Sequence, residues 1–231
     1  MEVSILKGLR NAFTVNIELR GFDYANLKPE YLLKYKIATQ IKSDFPDYKI
    51  ELEARTEKFH QRSYEIGDFI TEPSFYNKWE IERSGFIDIA IYNSDFKAIC
   101  PIEVKLINPQ KILVEDDLIR LLDYLKAFDR SSITSAYFVY IYKKNIFESL
   151  EQIQKDIDSA KVRAKNVICN FSHEIKSRLA YDFFCESIGE FSNFENTYDM
   201  KGLDQFELGE LIRENFHYVG VVIKIKVVKL F

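Results

Sequence analysis

The chain has 231 residues, of which 47% are hydrophobic and 29% are charged. This balance excludes long disordered stretches and fits one large domain, or a core with a smaller extension. The formal net charge of −4 gives no global sign of nucleic-acid binding, although a local basic lining would be compatible with it.

The cysteines and the N-terminal sequence bear on the cell compartment. Cys100, Cys169 and Cys185 are far apart, odd in number and set among apolar residues, which favours reduced thiols. The opening residues MEVSILKGLRNAF lack the long apolar core and cleavage site of a secretion signal. No stretch approaches the roughly 18 apolar residues that a membrane span needs. We therefore expect a cytoplasmic protein with no membrane partner.

In the first half of the chain, the pattern predicts a helix followed by a meander of strands. Alternation over 12–20 suggests a short strand, and Asn26 can cap a helix that runs to about Phe45. Strands are then predicted at 48–55, 79–83, 86–92 and 97–107. Pro101 suggests a bulge or an unpaired edge in the last of these strands.

The second half begins with an amphipathic helix at 115–128 whose acids lie in its first turn, followed by a buried strand at 135–142. Helices are predicted at 146–166 and 172–189, a loop at 193–206, then a short helix and a C-terminal strand. We predict an α/β fold with a mixed central β-sheet flanked by helices. The core would span 1–145, with a mainly helical extension over 146–231 packed on it.

Three residues of the meander form a candidate catalytic set. Glu103 and Lys105 share one strand face because side chains alternate along a strand. A turn centred near Ser94 and Asp95 brings Asp88, on the preceding strand, within about two residues of Glu103 in register, close enough for diagonal side-chain contact. Two carboxylates suit Mg²⁺, which activates water and neutralises charge on a phosphate, and a lysine can assist both tasks. This set is suited to phosphodiester hydrolysis.

Asp88, fourteen residues and then Glu103-Val104-Lys105 together resemble the PD-(D/E)xK, or restriction-endonuclease-like, nuclease superfamily. The resemblance covers roughly residues 27–142, and the helix at 115–128 stands where the family usually has one. Ile87 replaces the proline that gives the motif its name. The resemblance implies a restriction-endonuclease-like core and cleavage of DNA, less often of RNA, with Mg²⁺ or possibly Mn²⁺ bound by the two acids.

The family often adds a glutamate from its first helix, and Glu30 is the position that matches. Glu30 shares a helical face with the apolar residues of that helix, where an acid needs a partner or a metal. An N-terminal acid favoured by the helix dipole is an equally good interpretation. Glu53, on the strand before the meander, is a rival for the same role.

A second ExK, Glu174-Ile175-Lys176, follows Asp158 by sixteen residues. It lies in helical periodicity, where residues i and i+2 point about 200° apart and cannot share a metal. Two alternatives to a DNA endonuclease remain open. The chain could be a non-catalytic binding or assembly subunit with its charges merely paired, or an RNA-directed nuclease active only in a complex. A homodimer or larger complex is compatible with each of these functions.

Overall fold

A computed structural model describes residues 1–20, 30–63, 85–125, 131–145, 150–168, 179–191 and 216–227. The helices of these ranges are α1 (Glu2–Arg20), α2 (Glu30–Asp44), α3 (Thr56–Gln61), α4 (Lys111–Leu125) and α5 (Leu150–Ile168). The strands are β1 (Lys49–Arg55), β2 (Phe86–Tyr92), β3 (Ala98–Ile107), β4 (Ser135–Asn145), β5 (Leu179–Phe191) and β6 (Phe216–Val227).

The six strands form one mixed sheet in the order β1-β2-β3-β4-β6-β5. Strands β1, β2 and β3 make an antiparallel meander, while β3 and β4 are parallel and are connected through α4. Strand β6 pairs antiparallel with both β4 and β5. The predicted α/β class, with a mixed central sheet and helices, is confirmed.

Two apolar cores lie on opposite faces of this sheet. Alternate residues of β4 enter different cores: Tyr137 and Val139 belong to one, and Ala136 and Phe138 to the other. The first core contains the apolar stripes of α1 and α2, and the second contains those of α4 and α5. Among the described residues, α1 and α2 therefore cover one face, and α4 and α5 with Phe59 of α3 cover the other, as expected when β4 is buried on both sides.

Most elements of the first half agree with the sequence prediction. The helix ending near Phe45 is α2, and the strands predicted at 48–55, 86–92, 97–107 and 135–142 are β1, β2, β3 and β4. The cap at Asn26, the strand at 79–83, the loop at 193–206 and the short helix after it lie outside the described residues.

Pro101 does not lie on an unpaired edge, because β3 has a neighbour on both sides. The pairing of β2 with β3 is irregular nearby, where it steps from Cys100 to Ala98 and leaves Ile99 as an extra residue. A bulge is therefore present two residues before the proline rather than at it. The ladder accommodates the missing proline N–H without ending there.

Two predicted elements are wrong. Residues 12–20 belong to helix α1, whose buried residues Ile5, Leu9 and Ala12 recur at helical spacing and face α2 and the sheet. Over 179–189 the chain is strand β5 instead of helix, and 172–178 lie outside the described residues. The helix predicted at 146–166 is α5, so the described part of 146–231 contains one helix and two strands.

Helix α4 begins at Lys111, so its acids are not in its first turn as predicted. Cys100 is buried and Cys185 partly buried, both as free thiols, while Cys169 lies outside the described residues. None of the helices that the structure describes is long and apolar enough to cross a membrane.

Candidate functional site

Three acidic residues lie in one row across the first three strands. In β1 and β2, Leu52 pairs with Ile89 and Ala54 with Ile87, so the register interpolated between these pairs sets Glu53 opposite Asp88. The register of β2 and β3, continued one residue beyond its last pair, sets Asp88 opposite Glu103. The predicted approach of Asp88 to Glu103 is therefore direct rather than diagonal, and Glu53 extends the row to the sheet edge.

Asp88 and Glu103 are deeply buried, with only 7% and 1% of their surfaces exposed. Buried carboxylates are costly unless they are paired or hydrogen-bonded. The Oδ2 atom of Asp88 accepts a hydrogen bond from the backbone N–H of Val104 at 2.7 Å. Because a side chain takes this backbone donor, the regular β2–β3 ladder ends at the acidic row.

Lys34 of α2 forms the second contact of Asp88. The Lys34 Nζ lies 2.7 Å from Asp88 Oδ1, 2.8 Å from Glu30 Oε1 and 2.6 Å from Glu53 Oε1. Burial alone would lower the pKa of the Lys34 ammonium, but its hydrogen bonds to Asp88, Glu30 and Glu53 outweigh burial and raise that pKa. Lys34 therefore stays charged at the centre of three carboxylates.

Glu53 reaches this centre from a strained backbone. Its φ is 52°, in the left-handed region that residues with a Cβ seldom occupy. It is the residue of β1 whose pairing with β2 is interrupted. Such strain costs of order 1–3 kcal/mol and persists only where the surroundings over-determine it. Here the contact with Lys34 accompanies the strained conformation.

Helix α4 supplies the other side of the site. Arg120 Nη2 lies 2.9 Å from Glu103 Oε2 and 2.5 Å from Asp117 Oδ1. Lys105 Nζ lies 3.0 Å from Asp117 Oδ2. Burial lowers the pKa of Lys105, but the hydrogen bond and charge of Asp117 outweigh burial and raise it. Buried Asp117 thus holds Arg120, which contacts Glu103, and also Lys105, which lies two residues beyond Glu103 on the same strand.

Glu103 has one oxygen without a hydrogen-bond partner among the described residues, the buried Oε1 atom. Burial raises the pKa of the Glu103 carboxyl well above its usual range, and the negative charge of Asp88 raises it further. A proton shared with Asp88 would satisfy this oxygen, and so would a bound cation. The atom is the best candidate in the row for a metal ligand.

The charges of the set favour a further cation. Five carboxylates, those of Glu30, Glu53, Asp88, Glu103 and Asp117, meet three cationic side chains, Lys34, Lys105 and Arg120. Two negative charges remain when all are ionised, which a divalent cation would neutralise. In the described ranges, however, no three His, Cys, Asp or Glu side chains form a ready metal-binding group. Around Asp88, the acids converge on an ammonium instead.

The acids named from the sequence lie close together in the structure, but the sequence interpretation does not include the basic side chains that contact them. Glu30 and its rival Glu53 both enter the site, each through Lys34. Lys34 and Arg120 were not singled out, although Glu30–Lys34 and Asp117–Arg120 have the i,i+4 and i,i+3 spacings of helical ion pairs. Asp117 is a further indication of the site in the sequence, because an acid within the apolar stripe of α4 needs a charged or hydrogen-bonding partner.

Of the second ExK, Asp158 lies on α5 and residues 174–176 are outside the described part. Comparison with protein-family models, with curated proteins and with solved structures finds no match. The resemblance to PD-(D/E)xK nucleases therefore rests on the residues of this chain and on their arrangement.

Proposed function

We propose that this chain is a metal-dependent nuclease that hydrolyses phosphodiester bonds, with DNA as its substrate. The observation that carries the proposal is the direct juxtaposition of buried Asp88 and Glu103, with the Oε1 atom of Glu103 left without a hydrogen-bond partner in the described ranges. Lys105 lies two residues further along the same strand, so the acids and the lysine share a face.

In this proposal Asp88 and Glu103 hold Mg²⁺, or Mn²⁺ in its place. When bound, the ion would supply an activated water and would neutralise charge on the scissile phosphate. Lys105 orients the water and stabilises the phosphate, and its ammonium is held in position by Asp117. Arg120 compensates the second oxygen of Glu103, so that only one oxygen of that carboxylate needs another partner.

The chain topology also supports the proposal. The resemblance spans a predicted helix, a meander of strands, a second helix and a further strand, and α2, β1–β3, α4 and β4 follow that order. The motif residues lie on two neighbouring strands: Asp88 on β2, and Glu103 and Lys105 on β3. Strands fix side-chain geometry more closely than loops, as a catalytic site requires.

The test is a cleavage assay with Mg²⁺, with Mn²⁺ and with EDTA. Supercoiled plasmid, single-stranded DNA and single-stranded RNA are incubated with the wild-type chain, Asp88→Asn and Lys105→Ala. We expect metal-dependent cleavage of DNA that falls by at least about a hundredfold in both variants, the usual loss when a metal ligand or a charge-stabilising donor is removed.

The matched controls are Asp95→Asn and Lys155→Ala, because both residues are exposed and lie away from the acidic row. Both controls should cleave at the wild-type rate. Cleavage of RNA but not of DNA would instead indicate an RNA-directed nuclease. Cleavage that persists in Asp88→Asn at the wild-type rate would exclude this site as its origin.

A second candidate function is a non-catalytic binding or assembly subunit. It is favoured by the extent of internal pairing, since Lys34 contacts three acids and Arg120 contacts two. The same assay separates the two functions. A well-folded chain that neither cleaves any substrate nor binds Mn²⁺ would support the binding subunit.

A further inference from the structure

Asp88 lies between two positions that could each hold a cation, one beside α2 and one beside α4. On the α2 side lie Glu30, Glu53 and Asp88 around Lys34, and on the α4 side lies Glu103. We propose that the Lys34 ammonium is the resident cation of the first position, so that a divalent metal binds only at the second. The inference rests on the proposed function and specifies where its metal enters.

The contacts of Lys34 match what its ammonium group can offer. An ammonium has three N–H donors and no acceptor. Lys34 Nζ lies 2.6–2.8 Å from three carboxylate oxygens, one each from α2, β1 and β2. Every donor therefore has an acceptor, and the three acids have the oxygen–cation contacts that they would otherwise need from an ion.

Replacing Lys34 with a metal would be costly. The side chain is almost fully buried, with 9% of its surface exposed, and a displaced ammonium would lose three charged partners. An unpaired buried charge strongly destabilises a protein. Glu53 also contacts Lys34 from a residue whose backbone is in the strained left-handed region. The first position is thus built around a lysine rather than around a metal.

The second position has the opposite character. The Oε1 atom of Glu103 is buried and has no hydrogen-bond partner among the residues described, and Asp88 lies directly opposite in the strand register. Each carboxylate oxygen has two lone pairs, so Asp88 can serve Lys34 and Val104 and still accept a metal. The buried oxygen without a hydrogen-bond partner therefore lies on this side, where Asp88 contributes a second carboxylate.

The structure therefore assigns different roles to the acids. Glu30 and Glu53 are positioning residues that act through Lys34, and only Asp88 and Glu103 bind metal. This assignment differs from the expectation that Glu30 is itself a metal ligand. It predicts that removing the charge of Glu30 leaves metal affinity almost unchanged, whereas removing that of Glu103 reduces it strongly.

The experiment is a titration of the full chain with Mn²⁺, read by electron paramagnetic resonance of the free ion and by calorimetry. The wild type should bind one ion. Glu30→Gln should bind one ion within about threefold of the wild-type affinity, and Glu103→Gln should lose at least about tenfold, the range seen when metal-site partners are removed. Lys34→Met should bind a second ion.

The outcomes separate the inference from the proposed function. Two ions bound by the wild type, or a tenfold loss in Glu30→Gln, would overturn the inference and leave a metal-dependent nuclease standing. The inference would also be overturned if the Lys34→Met variant still bound a single ion while its circular dichroism spectrum showed it to be folded. If that variant does not fold, Glu30→Gln against Glu103→Gln remains decisive.

Two further results complete the test. Absence of Mn²⁺ binding from the wild type and from every variant would overturn both the inference and the proposed function. Binding by Lys34→Met but not by the wild type would overturn the inference, because the second position would then hold no metal in the wild type, and it would overturn the metal dependence of the proposed function as well. Each of these outcomes is decided by the number of bound Mn²⁺ ions and their affinity, independently of any cleavage rate.

Discussion

At the scale of single residues, Asp117 connects helix α4 to the basic side of the site. Its two oxygens contact Arg120 and Lys105, and Asp117 is itself buried. We expect Asp117→Asn to lower the free energy of unfolding by about 2 kcal/mol, because charged hydrogen-bond partners lose their counter-charge. Urea denaturation followed by fluorescence measures this loss.

The same substitution should lower the cleavage rate at least about tenfold, because Lys105 is no longer held near Glu103 and small misplacements are costly in catalysis. Asp116→Asn is the matched control, since Asp116 is exposed on the same helix. Equal stability and equal rates for the two variants would show that Asp117 has no positioning role.

His60 of α3 gives the fold a pH dependence of its own. Burial lowers the pKa of His60 to about 4 from the usual 6.5. The unfolded chain therefore takes up a proton at a higher pH than the folded chain, and stability falls as the pH drops from about 6.5 towards 4. At pH 5 the loss attributable to His60 should reach about 2 kcal/mol.

The measurement is urea denaturation of the wild type and of His60→Gln at pH 7.5 and pH 5. Other groups titrate in this interval too, so the quantity of interest is the difference between the two proteins. The wild type should lose more stability on acidification than the variant. A parallel loss in both would show that His60 is not a source of the dependence.

The core of the candidate site could be predicted from sequence because it depends on local geometry. Asp88 and Glu103 are joined by a short turn, and Glu103 and Lys105 by strand alternation, so the sequence separation alone constrains them. Lys34 and Arg120 come from helices on opposite faces of the sheet, and their approach depends on tertiary packing. Only their helical spacing to Glu30 and Asp117 was visible in advance.

At the scale of elements, the close crossing of α1 and α2 determines where Glu30 and Lys34 lie. A Cβ added at Gly8 of α1 would stand 2.6 Å from the Ile37 Cα of α2. This neighbour is backbone and cannot rotate away, so the two helices would have to separate. Gly8 is therefore a contact residue that allows α2 to approach.

We expect Gly8→Ala to destabilise the chain by about 1–2 kcal/mol, because overpacking costs about 1–3 kcal/mol and the better helix propensity of alanine returns up to about 1. Thermal unfolding by circular dichroism measures the change. Gly85→Ala is the control, since its added Cβ would lie 3.9 Å from Thr56 Oγ1, an ordinary contact. If Gly8→Ala were as stable as this control, α1 and α2 would not be held by close contact.

The two mispredicted elements show where a local pattern is insufficient. Phe13, Val15 and Ile17 alternate and favour a strand, but Ile5 and Leu9 earlier in the segment complete a helical stripe that buries against α2 and the sheet. Strand β5 lies at the edge of the sheet and is mostly half-buried, so its sequence lacks a clean alternation. In both cases packing partners distant in sequence decide the structure.

At the scale of the whole molecule, the sheet continues across the boundary expected near residue 145. Strand β4, the last strand of the expected core, pairs along its length with β6, from Ser135 opposite Lys226 to Asn145 opposite Phe216. Strand β6 lies between β4 and β5 in the sheet order. Residues of β4 and β6 also belong to the same two apolar cores.

This continuity predicts that residues 1–145 do not fold alone. Six side chains of β6 are fully buried: Tyr218, Val219, Val221, Val222, Ile223 and Ile225. Each contributes about 1.5–3 kcal/mol through burial, so their sum rivals the whole stability of a domain, about 5–15 kcal/mol. Removing them also exposes the β6-facing edge of β4, a site for aggregation.

We therefore expect a fragment of residues 1–145 to lack cooperative unfolding and to aggregate, as measured by urea denaturation and size-exclusion chromatography beside the full chain. Co-expression with residues 146–231 is the control, because β6 supplied in trans should restore the sheet and a cooperative transition. A fragment 1–145 that unfolds cooperatively as a monomer and binds Mn²⁺ like the full chain would instead establish an autonomous nuclease-like core, with β5 and β6 as an addition to its sheet.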